Sequence, residues 1–124
     1  MTVETVLSKF DGKVAALGFK TREYLFSHLP GICEEVDVPA SLLGYSYGPG
    51  YKNVICVILL SNKGVKLGFN RGGELPDPGH LLAGTGKVHR FVVIQSAGDL
   101  NNPALNELLA GAVAAYRKRL SQTT

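Results

Sequence analysis

The stretch Val54-Ile55-Cys56-Val57-Ile58-Leu59-Leu60-Ser61-Asn62-Lys63-Gly64-Val65-Lys66-Leu67-Gly68-Phe69-Asn70 decides the fold. Its first half is rich in β-branched residues and apolar on both faces. That predicts a strand over 53–60, covered on at least part of each side. Asn62-Lys63-Gly64 is a tight hairpin signal. Beyond it Val65, Leu67 and Phe69 alternate with Lys66, Gly68 and Asn70, the period of a half-buried strand.

Strand signals continue on both sides. Leu42 to Tyr47 reads as a strand closed by Gly48-Pro49-Gly50, and Lys87 to Ile94 as a further strand. Glu34, Glu35 and Asp37 fall in a connection that holds a short turn or strand. Arg71 to Gly79 is loop, marked by Gly72, Gly73, Pro76 and Pro78, and one helical turn is expected over His80 to Gly84. Helical spacing marks both ends of the sequence. Thr2 caps a segment carrying Val3, Val6, Leu7 and Phe10, and Asp11 caps a second helix, Lys13 to His28, ended by Pro30-Gly31. Asn102 and Pro103 open a last helix on which Leu105, Leu108, Leu109, Ala112, Val113, Tyr116 and Leu120 recur. Antiparallel strands between terminal helices give an α+β two-layer sandwich with both helices on one face. The expected organisation is a single domain over 1–124.

Composition narrows the function classes. The 124 residues suffice for one core without disulfides or metal. A net charge of +3 is too small to point to nucleic acid, and Arg117, Lys118 and Arg119 sit where a helix C-terminus favours positive charge. The longest apolar run, Val54 to Leu60, is far short of the ~20 residues of a spanning helix, so no membrane partner is expected. Met1 to Phe10 has no apolar core of a signal peptide, and Cys33 and Cys56 are isolated. A cytoplasmic protein with free thiols is the expectation.

Two catalytic motifs fail on spacing. Gly84-Thr85-Gly86-Lys87 resembles the end of a phosphate-binding loop, but Leu81 stands where the first Gly belongs and Val88 where Ser or Thr belongs. Neither 44–50 nor 84–90 fits a dinucleotide fingerprint. His28, His80, His89, Glu74, Asp77 and the two cysteines lack metal-ligand spacing, so no metal or cofactor is expected.

The candidate surface is the sheet face turned away from the helices. Tyr45 and Tyr47 share one side of their strand, Lys66 opposes the apolar stripe of its own, and Lys87 and His89 point away from Val92 and Ile94. Arg90, whose parity is that of Val92, and Arg71 in a flanking loop complete the candidate set. Such a basic, aromatic face suits an anionic, flat or extended small molecule, a protein, or a second copy of the chain.

The motifs Gly44-Tyr45-Ser46-Tyr47-Gly48-Pro49-Gly50-Tyr51-Lys52, Lys66-Leu67-Gly68-Phe69, Leu75-Pro76-Asp77-Pro78, Leu81-Leu82 and Gly84-Thr85-Gly86-Lys87-Val88-His89-Arg90 resemble the YdhG-like family of domains of unknown function. The resemblance runs from about 10 to 119. It implies a fold of the frataxin-like superfamily, with two terminal helices on one face of an antiparallel sheet, and an iron-handling role proposed for some relatives. Glu4, Asp11 and Glu23 are widely spaced in the first helical region, and Glu34, Glu35 and Asp37 form only a small cluster, whereas hard cations need several converging oxygens. The leading expectation is therefore a non-enzymatic binding or interaction domain. The alternatives are an iron-handling chaperone and a small enzyme using His89 or His80 as general base.

Overall fold

Local chemistry sets the helix starts. The computed structural model describes residues 2–84 and 89–122. Helix α1 (Val3–Leu7) is held by a capping box in which Thr2 and Thr5 exchange side-chain and backbone bonds. Helix α2 (Gly12–His28) starts at Asp11, whose Oδ1 accepts the Val14 N–H at 2.9 Å. It stops before Pro30-Gly31, and Gly31 supplies the positive φ of 79°. Helix α3 (Pro103–Gln122) opens on its proline.

Between α2 and α3 lies a five-stranded antiparallel sheet. Its strands are β1 (Cys33–Asp37), β2 (Leu42–Ser46), β3 (Val54–Ser61), β4 (Gly64–Asn70) and β5 (His89–Ile94), in spatial order β1-β2-β3-β4-β5. The hairpin at Asn62-Lys63 closes on Gly64, whose φ of 135° excludes most other residues. Leu43, Ile58, Leu67 and Val92 lie opposite one another across four strands and are buried. With Val14, Leu25, Leu105, Leu108 and Leu109 they form one core between the sheet and the helices. The two-layer α+β sandwich read from the sequence is the fold observed.

Side-chain polar contacts tie the helices to the sheet and to each other. Arg22 on α2 pairs with Glu34 on β1 at 2.7 Å. The Tyr24 hydroxyl donates to Asn106 Oδ1 at 2.7 Å, joining α2 to α3. The Tyr116 hydroxyl donates to Asn53 Oδ1 at 2.8 Å, joining α3 to the turn before β3. Gly18 explains how α2 approaches so closely: a Cβ there would stand 3.0 Å from Leu60 Cδ2 and 3.1 Å from Leu7 Cδ2.

The segment around His80 departs from the expected helical turn. The Asp77 carboxylate accepts the N–H groups of Leu81 and Leu82, both at 2.9 Å. This side-chain turn competes with helical bonding. Ala83 instead pairs with Phe91 through two backbone bonds of 2.7 and 3.2 Å. The connection carrying Glu34, Glu35 and Asp37 is a full edge strand, β1.

Candidate functional site

Strand pairing fixes which side chains share the open face. One cross-strand row is Glu35, Gly44, Val57, Gly68 and Phe91, and the next is Asp37, Leu42, Leu59, Lys66 and Val93. Opposed residues point to the same side, and both rows point away from the helices. Gly44 and Gly68 flank Val57 with no side chains of their own. The result is a furrow of about 270 Å³ bordered by Leu42, Val54, Val57, Leu59, Phe91 and Tyr51.

The face is electrically divided. Glu35 and Asp37 are exposed at the β1 edge. Lys66 and His89 are exposed toward the β5 edge, and Lys66 Nζ stands 4.5 Å from the centroid of the Phe91 ring. Tyr51 Oη lies 3.2 Å from His89 Nε2, with the two rings edge to face. Between the charged edges the centre is apolar, and Val93 is 43% exposed.

Of the sequence-derived site residues, Lys66 and His89 belong to this face. Tyr45 does not: it is fully buried on the helix side, and its hydroxyl donates to Glu34 Oε2 at 2.7 Å. Burial, then the hydrogen bond to Glu34, pushes the Tyr45 hydroxyl well above the usual tyrosine range. Tyr47 is half-buried and stacks on Tyr116 of α3 at 6.0 Å between centroids. Both tyrosines share the parity of the buried Leu43, which turns them inward. Arg90 borders the furrow, but it lies opposite the buried Phe69, so its parity is that of the helix side of β5. Arg71 is exposed, in the left-handed backbone region, and bonds Glu74 through two nitrogens at 2.5 and 3.0 Å. It borders a cavity of about 410 Å³ with Tyr116 and Arg119, away from Lys66. Lys87 lies outside the described residues.

A second cavity, of about 610 Å³, lies where the start of α2 meets the β3–β4 turn and the segment after β5. Among the described residues four lysines line it: Lys13, Lys20, Lys63 and Lys66. Of the candidate residues named from the sequence, Lys66 lines it. A signal was present, since Lys13, Ala16, Leu17 and Lys20 recur at i, i+3, i+4 and i+7.

The carboxylates do not fit an iron site. Glu34 and Glu35 point to opposite faces of β1, and Glu34 is occupied by Arg22 and Tyr45. Asp11 caps α2, and Asp37 accepts the Ala40 N–H at 3.1 Å. Among the described residues no three His, Cys, Asp or Glu side chains form a group suited to a metal. Nor, among them, is any helix long and apolar enough to cross a membrane. His80 is exposed and borders a shallow cavity near Asp99, whose Oδ2 is taken by the N–H groups of Gln95 and Ser96.

The fold and face define a small α+β sandwich with one uncovered sheet surface. No family model matches the chain, and searches of curated proteins and of solved structures give no match.

Proposed function

We propose that the protein is a non-enzymatic interaction domain that works through its open sheet face, and that the face docks a second copy of the chain. The observation that carries the reading is the division of that face into an acidic edge, an apolar middle and a basic edge. A two-fold axis running along β3 between two facing sheets would set β1 of one copy over β5 of its partner. Glu35 and Phe91 are members of one row, so each Glu35 would come over the partner's Phe91 ring, where Lys66 Nζ already stands. The other in-plane axis would stack like charges.

The size of the face sets the strength. Five strands at ~4.8 Å spacing span roughly 19 Å. The buried area would be roughly 1,000 Å² in total, at the lower limit for a specific interface. A weak, reversible dimer is expected. Sedimentation velocity across a concentration series tests it. Glu35→Lys or Lys66→Glu alone should leave a monomer, and the two together should restore the dimer. A wild-type monomer at the highest soluble concentration, or a double variant as weak as the singles, would sink the reading.

A further inference from the structure

The lysine-lined cavity adjoins the open face, sharing Lys66 and Val93 with it, and extends from there to α2. Its floor is apolar: Val14, Val65 and Ile94 are buried beneath it, and Leu17 is half-buried. Its rim is cationic. Lys13 and Lys20 project from one stripe of α2 and Lys63 from the β3–β4 turn, while Lys66 sits where the cavity meets the open face. Among the described residues the one carboxylate in the lining, Asp11, has Oδ1 committed to the Val14 N–H.

The lysines are not neutralised. Among the described residues the ion pairs are Arg22–Glu34 and Arg71–Glu74, so Lys20 is not paired with Glu23 one turn on. Like charges gathered around a concave, low-dielectric wall raise the local concentration of anions. The volume lies within the ~300–1,000 Å³ of small-molecule sites. Among the described residues no aromatic side chain lines the cavity, so none of them offers a nucleotide base a ring to stack upon.

We propose that this cavity binds a small aliphatic anion: a carboxylate or phosphate head held by Lys13, Lys20 and Lys63, with a short hydrocarbon chain laid on Val14, Leu17, Val65 and Ile94. The head alone would leave the floor wet, and the chain alone would leave the lysines unanswered. Both parts contribute to affinity.

Calorimetry with octyl phosphate, octanoate, octanol and inorganic phosphate tests the class, and methyl chemical shifts locate the site. The two anionic amphiphiles should bind one to one and move the Val14, Val65 and Ile94 methyls. Octanol and inorganic phosphate should each bind at least about tenfold more weakly. The double variant Lys13→Gln, Lys20→Gln should lose about tenfold in affinity and much of the salt dependence. Ala16→Phe, which fills the cavity without changing charge, should lose binding as well. Equal affinity for octanol or for inorganic phosphate overturns the proposal. So does unchanged binding by both variants, or shifts confined to Val57 and Leu59 of the open face. Anionic lipid vesicles separate the two sources of such a head group: attachment to vesicles with no binding of free octyl phosphate would mean surface adsorption and would also overturn it. Lys13, Lys20 and Ala16 lie on α2, outside the cross-strand rows of the open face, so failure of these variants leaves the Glu35 and Lys66 charge-swap test of the dimer standing.

Discussion

Tyr45 donates its hydroxyl to Glu34 Oε2 at 2.7 Å, the same oxygen that Arg22 Nε reaches at 2.7 Å. One carboxylate thus ties α2 to two strands. Arg22 also stands 5.1 Å over the Phe26 ring, which meets Tyr45 edge to face at 5.8 Å. Arg22 neutralises the carboxylate that β1 directs inward, and the polar end of Tyr45 supplies it a further hydrogen bond.

Removing one member of this group should cost unequally. Tyr45→Phe leaves Glu34 paired with Arg22 and should lower stability by about 1–2 kcal/mol. Glu34→Ala strands both the buried hydroxyl and the half-buried guanidinium and should cost about 3 kcal/mol or more. Urea unfolding followed by circular dichroism measures both. Equal losses would show that the carboxylate is not the hub.

Alkaline pH should weaken the fold in a defined window. Burial raises the Cys56 thiol above its ordinary 9.0 and the Tyr24 hydroxyl from 10.0 to about 12, and Tyr45 moves the same way. Each folded-state pKa is raised, so the folded protein holds protons that the unfolded chain gives up. Their contribution is complete below pH 9 and is lost as pH rises, first from Cys56 and then, from pH 10 toward 12, from the tyrosines. Unfolding free energies at a series of alkaline pH values should fall progressively, and Cys56→Ala should remove the earliest part of the fall. A flat profile to pH 11 would contradict the assignment.

The two thiols should also differ kinetically. Cys33 is exposed on the edge strand, whereas Cys56 is fully buried between Tyr45 and Phe69. Because the thiolate is the reactive form, a disulfide reagent at neutral pH should modify Cys33 promptly. Cys56 should react only as fast as the protein opens, and in denaturant both should react together. Prompt titration of two thiols in the native protein would overturn the burial of Cys56.

The architecture was legible because the deciding residues are local. Alternation along 65–70 and the apolar run 54–60 name two strands and their turn, and Asn102-Pro103 followed by Leu105, Leu108 and Leu109 names α3. The facing of β2 was not legible. Leu42 and Leu43 are adjacent apolar residues of opposite parity, so the strand's own pattern does not say which side is core. The residue that settles it for Tyr45 is Glu34, on another strand. Tyr47 turns inward because α3 brings Tyr116 against it, a contact 69 positions away in sequence. The lysine cavity joins α2, a hairpin tip and the end of β5, so only the Lys13–Lys20 stripe was visible in one dimension.

Two helical glycines should respond oppositely to the same change. Alanine is better than glycine in a helix interior by about 1 kcal/mol. At Gly111 in α3 an added methyl meets nothing within 4 Å, so Gly111→Ala should stabilise by about 0.5–1 kcal/mol. At Gly18 in α2 the methyl would press on Leu60 at 3.0 Å and on Leu7 at 3.1 Å. Those leucine tips come from β3 and α1 and are buried, with little room to yield in a close-packed core. Overpacking of this kind costs about 1–3 kcal/mol, which exceeds the helix gain. Gly18→Ala should therefore lower the melting temperature while Gly111→Ala raises it. A rise for both would mean that α2 rides farther from β3 than the close approach at Gly18 requires.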